Sequence, residues 1–305
     1  MRAIVTGGAG FIGSHICDFL LAKSNDVAAV DNLCAGKEGN LEGVRLVKKD
    51  IARDDLAADF SGADAVFHYA ADPEVRRSTS QPEATFRINV HGTLSVLEAC
   101  RKADVGRIVF ASTSTVYGEA KILPTPETYS CKPISNYGAS KLAGEAYCFS
   151  YAGTYGLKAT IIRYANIFGP RSTHGVTHDF YGKLLKNRLK LEILGDGNQK
   201  KSYLYITDAI EATMIAFERQ NAKAEAYNVG SGKNHTVAAL AKTVCAHLSA
   251  TPDFEYSGGL RGWDGDVAEM LLDTEKISSL GWKEKTGFDE GIAKYLDWLS
   301  SGEIR

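Results

Sequence analysis

The stretch TGGAGFIG restricts the fold more than any other part of this chain. It comes after a short apolar run, residues 2–6 (RAIVT), that reads as a strand. It opens onto residues 11–23, where Ile12, Ile16, Phe19 and Leu20 share one helical face. Gly7, Gly10 and Gly13 fall between the two at G-x-x-G-x-x-G spacing. Glycines there let the backbone turn tightly and approach a pyrophosphate, which then rests on the helix N-terminus.

The apolar pattern downstream of residue 23 supports that reading. DVAAVD (26–31), VRLVKKD (44–50), AVFHYA (65–70), RIVFAS (107–112) and ATIIRYA (159–165) read as further strands, with helices over about 83–103 and 136–156. Such alternation predicts an α/β fold with right-handed crossovers, a Rossmann-type doubly wound parallel sheet. After Pro170 the pattern loosens. STHGVTHDF reads as a loop, and LEILGDGNQKKSYLYITD as extended chain around a Gly-Asp-Gly turn. Residues 208–219 read as a helix, AYNVGS (226–231) as a strand, and 236 to the end as helices with short turns. No repeat or low-complexity linker interrupts the chain. The expectation is a dinucleotide-binding domain over 1–168, to which 202–232 returns. A smaller, intertwined α/β substrate lobe is then formed by 169–201 and 233–305.

Composition removes several classes of partner. A net charge of −2 leaves no broad basic field, so neither nucleic acid nor an anionic membrane is expected. No apolar run reaches membrane-spanning length, and the apolar segment of MRAIVTGGAG is too short for a secretion signal. The six cysteines are scattered with no Cys-x-x-Cys pair, which suits a reducing cytoplasm. His174 and His178 stand at i, i+4 but lack a third ligand and the glutamate of a zinc motif, so no metal is expected.

Two features speak to chemistry. Asp31 stands eighteen residues after Gly13, at the end of the second strand. A carboxylate there can hold both ribose hydroxyls and repels a 2′-phosphate, which favours NAD over NADP. Further on, YGASK puts Tyr137 and Lys141 one helical turn apart, about twenty residues after ASTSTVYG, where Ser112, Thr113, Ser114 and Thr115 stand together with no acid among them. A free tyrosine is a poor base at neutral pH, and a nearby ammonium such as that of Lys141 favours its phenolate. With the phenolate as base, a neighbouring hydroxyl only has to position an oxygen, so no acid is needed.

On TGGAGFIGSH, DNLCAG, HYAADPEVRRS, NVHGT, ASTSTVYG, YGASK, RYANIFGP and GDGNQKKSYLYITDA, with weaker likeness through GWDGDV and LGWKEKT, the chain resembles the extended short-chain dehydrogenase/reductases. Within them it is most similar to the UDP-glucose 4-epimerases of archaeal type. The resemblance covers nearly the whole chain. It implies Thr113, Tyr137 and Lys141 as catalytic residues. It implies an NAD site of Gly7, Gly10, Phe11, Ile12, Gly13, Asp31, Asn32, Cys34, Ala35, Gly36, Asp50, Ile51, Tyr69, Ala70, Ala71, Asn89, Tyr164 and Ala165, together with the catalytic three. For the UDP-sugar it implies Arg76, in a loop after the fourth strand, Thr115, Tyr137, Asn166, Lys201 and, in a register offset by two residues that puts Trp263 in its place, Arg261. Dehydratases of this group carry Asp-Glu after the catalytic Thr, and UDP-glucuronate decarboxylases a Glu at the place of Thr115; here Ser114 and Thr115 stand instead. The implied activity is inversion of C4 of a UDP-hexose through a transient 4-keto sugar, with UDP-glucose and UDP-galactose as the default pair and the N-acetyl pair open. A UDP-uronate 4-epimerase, a net NAD-dependent sugar-nucleotide oxidoreductase and a non-catalytic NAD sensor are the competing readings. Relatives pair the two long helices across a two-fold, which implies a homodimer built on residues such as Val96, Leu97, Leu142 and Tyr147.

Overall fold

The computed structural model describes residues 1–263 and 265–302 and gathers seven of the apolar runs into one parallel sheet. Asp264 of the GWDGDV stretch and residues 303–305 lie outside the described residues. The first six strands are β1 (Arg2–Thr6), β2 (Asp26–Asp31), β3 (Arg45–Lys48), β4 (Ala65–His68), β5 (Arg107–Thr113) and β6 (Lys158–Tyr164). The seventh, Ala224–Val229, is β11 once the intervening short strands are counted. Their order across the sheet is β11-β6-β5-β4-β1-β2-β3, so the chain reverses direction between β1 and β4. This doubly wound order places a crevice at the C-terminal ends of the strands.

Both faces are covered, and the sequence shows why. Along β1, Ala3 and Val5 join one buried cluster while Ile4 joins the other; along β5, Val109 and Ala111 divide from Ile108 and Phe110 in the same way. Period-two alternation with apolar residues on both faces is what a parallel strand between two helical layers requires. One face takes α1 (Phe11–Ala22). The other takes α2 (Ala57–Phe60), α5 (Gly92–Lys102) and α6 (Asn136–Tyr155), with α3 (Val75–Ser80) and α4 (Pro82–Thr85) beside them.

The long helix α6 is well delimited. The Ser135 hydroxyl caps it by accepting from Gly138 N at 3.0 Å, and Gly156 ends it at φ 76°. Its sheet-facing side carries Gly144, where any Cβ would run into the Phe110 ring. The same side carries Glu145, ion-paired to Arg163 of β6 at 2.6 Å. The two side chains are only 2% and 7% exposed.

Several expectations need correction. Residues 83–103 are not one helix: α4 gives way to a turn of π-helix (Phe86–His91) before α5 begins. Arg76 and Arg77 sit in α3 rather than in a loop. Only the first part of STHGVTHDF is a loop. Helix α7 (Val176–Lys186) starts within it, because burial of Phe180 and Leu184 outweighs the weak helix propensity of Thr177 and His178. Beyond 236 the chain is not all helical. After β7 (Asn166–Phe168), β8 (Lys190–Ile193), β9 (Lys200–Lys201), β10 (Tyr203–Tyr205), α8 (Ile206–Arg219) and β12 (His235–Thr236) come α9 (Val237–His247) and then β13 (Asp253–Tyr256), with α10 (Glu275–Ser279) and α11 (Phe288–Ser300) last. β13 pairs in parallel with β8, and β7 with β10, while β12 and β9 pair antiparallel. DFEY is too short and too charged to announce a strand; its partner sixty residues earlier defines it.

Removing one member of the Glu145–Arg163 pair leaves the other buried and unpaired. Glu145→Ala is therefore expected to destabilise the fold by about 3–5 kcal/mol. Urea unfolding monitored by circular dichroism measures this, and a loss below about 1 kcal/mol would show that the pair does not hold α6 to the sheet.

Candidate active site

The C-terminal edge of the sheet collects the expected residues from successive strands. After β1, Gly7 adopts φ +69°, its N–H donating to Val30 O at 2.8 Å. A Cβ on Gly7 would lie 2.6 Å from Ala70 N, and one on Gly13 would overlap Gly7 O. No side chain caps α1 at Gly10, so among the described residues the N–H groups at its start, at Phe11 and Ile12, have no side-chain acceptor. A glycine cradle ending in an uncapped helix N-terminus fits a pyrophosphate.

Asp31 closes the cradle. Its Oδ2 accepts from Ala9 N at 3.0 Å and its Oδ1 from Leu33 N at 2.8 Å. Burial raises its pKa, and these two bonds oppose the rise. Gly36 packs so closely that a Cβ there would lie 2.8 Å from that of Ala9 and 3.0 Å from Asp31 Oδ2. Asn32 donates to Asp50 Oδ2 at 3.3 Å and accepts from Cys34 N at 3.0 Å, which ties Cys34 and Ala35 to the end of β3. The carboxylate is thus present, oriented and surrounded by small residues, as an adenosine ribose needs.

Other predicted residues are near the crevice but turn their side chains elsewhere. Ile51 is buried in the core against Gly92. The Tyr69 phenol bonds that of Tyr164 at 2.8 Å, and Tyr164 bonds Thr213 Oγ1 at 2.5 Å, so both rings are fastened to α8. Only their backbone, with that of Ala70, Ala71 and Ala165, remains at the strand ends. Asn89 sits in the π-helical turn and braces two elements. It accepts from Asp72 N at 2.7 Å and donates to Asp72 O and to Ser140 Oγ, both at 3.0 Å.

Thr113 ends β5 and Tyr137 opens α6. The Thr113 hydroxyl accepts from Thr115 N and Thr115 Oγ1, both at 3.2 Å. Gly138 lets the helix come close: a Cβ there would lie 2.8 Å from Thr115 O. Burial pushes the Tyr137 phenol up to about 12; the Thr113 hydroxyl beside it opposes this, and the charge of Asp72 adds to it. Lys141 is buried, its ammonium 4.9 Å from the Phe110 ring centroid, and burial pulls its pKa down to about 8 against the charges of Cys148 and Glu145. The groups acting on the phenol are its own desolvation, Thr113 and Asp72.

The residues expected to meet the substrate come from separate elements, and most are already engaged. Asn166 is exposed on β7 and donates to Ser202 O at 3.1 Å. Lys201 is paired to Asp266 at 2.6 Å and Arg261 to Glu119. Arg76 stacks its guanidinium 4.4 Å from the Trp263 ring centroid. His178 lies on α7, and among the described residues no group of three His, Cys, Asp or Glu could hold a metal ion.

Sequence reasoning missed a second layer. His68 accepts from or donates to Thr6 Oγ1 at 2.7 Å and Thr93 Oγ1 at 2.9 Å, joining β1 to α5 beneath the glycine loop. It also missed Asp72, which is buried and paired to Arg77 at 2.5 Å. The signals were only single letters inside HYAADP. His68 is neutral in the fold, since burial and the Lys141 charge push it down from 6.5 to about 3.

Known proteins share this arrangement. The model of the NAD dependent epimerase/dehydratase family matches residues 3–230. A putative UDP-glucose 4-epimerase of Methanocaldococcus jannaschii is 38% identical over 98% of each chain. A solved UDP-galactose 4-epimerase is 42% identical with a TM-score of 0.91, covering 99% of this chain and 100% of that one. A Thermus thermophilus UDP-glucose 4-epimerase in complex with NAD is 36% identical with a TM-score of 0.91 over the whole of both chains.

The buried imidazole gives the fold a pH signature. Below about pH 6.5 the unfolded chain takes up a proton at His68, and the folded protein does not until about pH 3. Stability is therefore expected to fall through that window by about 1.4 kcal/mol per pH unit from this group. Denaturant titrations between about pH 6.5 and 4.5 test it: His68→Gln should lose this part of the slope, and equal slopes would mean the ring is charged in the fold.

Proposed function

Because the chain belongs to the NAD-dependent epimerase/dehydratase family, we infer that it is an NAD-dependent epimerase inverting C4 of a UDP-hexose, with UDP-glucose and UDP-galactose as its substrate pair. One observation carries the reading. Thr113, Thr115 and Tyr137 converge at the strand ends beside a glycine cradle and Asp31, with no carboxylic acid in the hydroxyl run. Elimination or decarboxylation would need an acid or base at Ser114 or Thr115; oxidation and then reduction at one carbon needs only a base and an oxygen-positioning hydroxyl.

On this reading the roles are as follows. Gly7, Gly10 and Gly13 with the start of α1 hold the pyrophosphate, and Asp31 holds the adenosine ribose. NAD, when bound, supplies hydride exchange at C4 and a positive ring that favours the Tyr137 phenolate. Tyr137 takes the proton of the 4-hydroxyl, while Thr113 hydrogen-bonds the same oxygen as it becomes a carbonyl. The 4-keto sugar turns about its bond to the diphosphate and presents its other face. Tyr137 then returns the proton, and C4 is inverted with no net redox change. Lys141 holds a cation beneath the site, and Asn166, Lys201 and Arg261 line the crevice toward the nucleotide. On this reading residues 169–201 and 233–305 belong to the substrate-binding lobe.

The same reading extends to assembly and location. Phe86 is 61% exposed and borders an open groove with Pro82, Val90, Ala139 and Ala143, and Tyr147 continues that edge of α6. This face is the homodimer interface. Val96 and Leu97 do not belong to it, being fully buried in the protomer's own core. No helix among the described residues is long and apolar enough to cross a membrane, and all six cysteines are free, which suits a reducing compartment such as the cytoplasm.

Purified protein given UDP-glucose without added NAD is expected to produce the 4-epimer, resolved by chromatography. Accumulation of reduced NAD only when NAD is supplied in stoichiometric amount would replace the epimerase by an oxidoreductase. Tyr137→Phe is expected to lower turnover by about 10²-fold or more with NAD still bound, and unchanged turnover would remove Tyr137 from the chemistry. Light scattering at micromolar concentration should give a dimer; a monomer overturns the assigned interface.

A further inference from the structure

The three cations along the substrate crevice do not stand alike. Lys201 donates to Asp266 Oδ1 at 2.6 Å and also to Val267 O. Arg261 is closed on Glu119. Each must release a carboxylate before it can take another anion. Arg76 is exposed and has no carboxylate partner among the described residues; its guanidinium lies 4.4 Å from the Trp263 ring centroid. An aromatic face attracts and orients a guanidinium without neutralising it, so the charge and the N–H fork stay available to a ligand.

Trp263 has its own anomaly. Its indole Nε1 is buried and has no acceptor among the described residues. Buried N–H groups are nearly always paired, and an unpaired one calls for an explanation. Here it adds an unsatisfied donor beside an unneutralised cation.

Both residues stand beside the start of α6, the helix that carries Tyr137. Arg76 lies on α3 two residues before Ser78, whose hydroxyl accepts from Tyr137 N at 3.1 Å. Gly265, two residues after Trp263, lies against the N-cap of α6: a Cβ on it would be 3.5 Å from Ser135 Cβ.

We propose that Arg76 binds the diphosphate of the nucleotide sugar and that Trp263 is the residue that positions it. The proposal rests on the nucleotide-sugar reading above. The diphosphate is common to every substrate of that reading, and a guanidinium fork matches two of its oxygens. Trp263 thus serves anion binding without being an anion-binding side chain in the usual sense: its ring holds the cation in place.

The test is calorimetric titration of UDP into the purified, NAD-containing protein, with NAD content and circular dichroism confirming that each variant is folded. Arg76→Met should weaken UDP binding by about tenfold or more. Trp263→Phe keeps an aromatic face and should cost less than about threefold, whereas Trp263→Leu should approach the loss of Arg76→Met. In the Arg76→Met background, Trp263→Leu should add nothing, because a positioning residue has no effect once its client is gone. Additive losses would overturn the positioning role. Undiminished UDP affinity in Arg76→Met overturns the diphosphate assignment, including the case where only UDP-glucuronate binding suffers, which would direct the arginine to a sugar carboxylate. Absence of UDP binding by the unsubstituted protein would overturn the nucleotide-sugar reading itself, and this proposal with it.

Discussion

The ion pair between Arg163 and Glu145 is the constraint on which the rest of the site depends. Arg163 lies on β6, and its guanidinium reaches Glu145 of α6, the Tyr117 hydroxyl at 2.8 Å and Glu127 O at 3.1 Å. Tyr117 passes the connection to Asn228 of β11 at 2.7 Å, and Asn228 in turn donates to Thr125 O and Asp273 O. Ser112, the neighbour of Thr113, donates to the same Glu145 carboxylate. One buried network therefore fixes three strand ends, the helix that carries Tyr137 and Lys141, and a segment from the far end of the chain. Such pairs are weak contributors to net stability when compared with a well-packed apolar alternative. Their value here is geometric: rotation of α6 about its axis would separate charges that have no water to turn to.

Burial acts with opposite sign on the groups around that helix, and the site uses the contrast. It raises the phenol of Tyr137, lowers the ammonium of Lys141 and keeps His68 neutral. In the protein by itself the phenol holds its proton. The Thr113 hydroxyl and the Asp72 charge pull on it in opposite directions. In the proposed mechanism a positively charged nicotinamide bound in the crevice would favour the phenolate, so Tyr137 would serve as base with NAD bound rather than by itself.

Much of this was legible in the sequence because local rules and global fold agree there. The glycine loop, the alternating strands and the Tyr137–Lys141 turn are set by backbone sterics and by periodicity, which operate within a few residues. Legibility failed where long-range contacts decide. DFEY becomes a strand only against Lys190–Ile193, and VTHDFYGKLLK becomes a helix only by burying Phe180 and Leu184. Tyr69 and Asn89 lie where the motifs place them, yet their side chains are taken up by Tyr164 and by Asp72 and Ser140. Sequence position identified the neighbourhood, whereas hydrogen-bond saturation decided which atoms face the crevice. Arg76 illustrates the converse: its neighbourhood was legible, but its partner, Trp263, lies far along the chain.

The outermost strand of the main sheet arrives late. Residues Ala224–Val229 pair with β6 only after the chain has passed through β7–β10 and two helices. Until then β6, whose Ile161 and Ile162 end up fully buried, offers an unpaired row of backbone donors and acceptors along an apolar ribbon. An open edge of that kind is a template for another chain. On the ribosome, at roughly 5–20 residues per second, the interval between the two strands lasts some seconds. A nascent chain, or one cut short before residue 224, exposes that edge. The enclosure that protects the finished crevice thus makes its unfinished form the aggregation-prone stage of this protein's life.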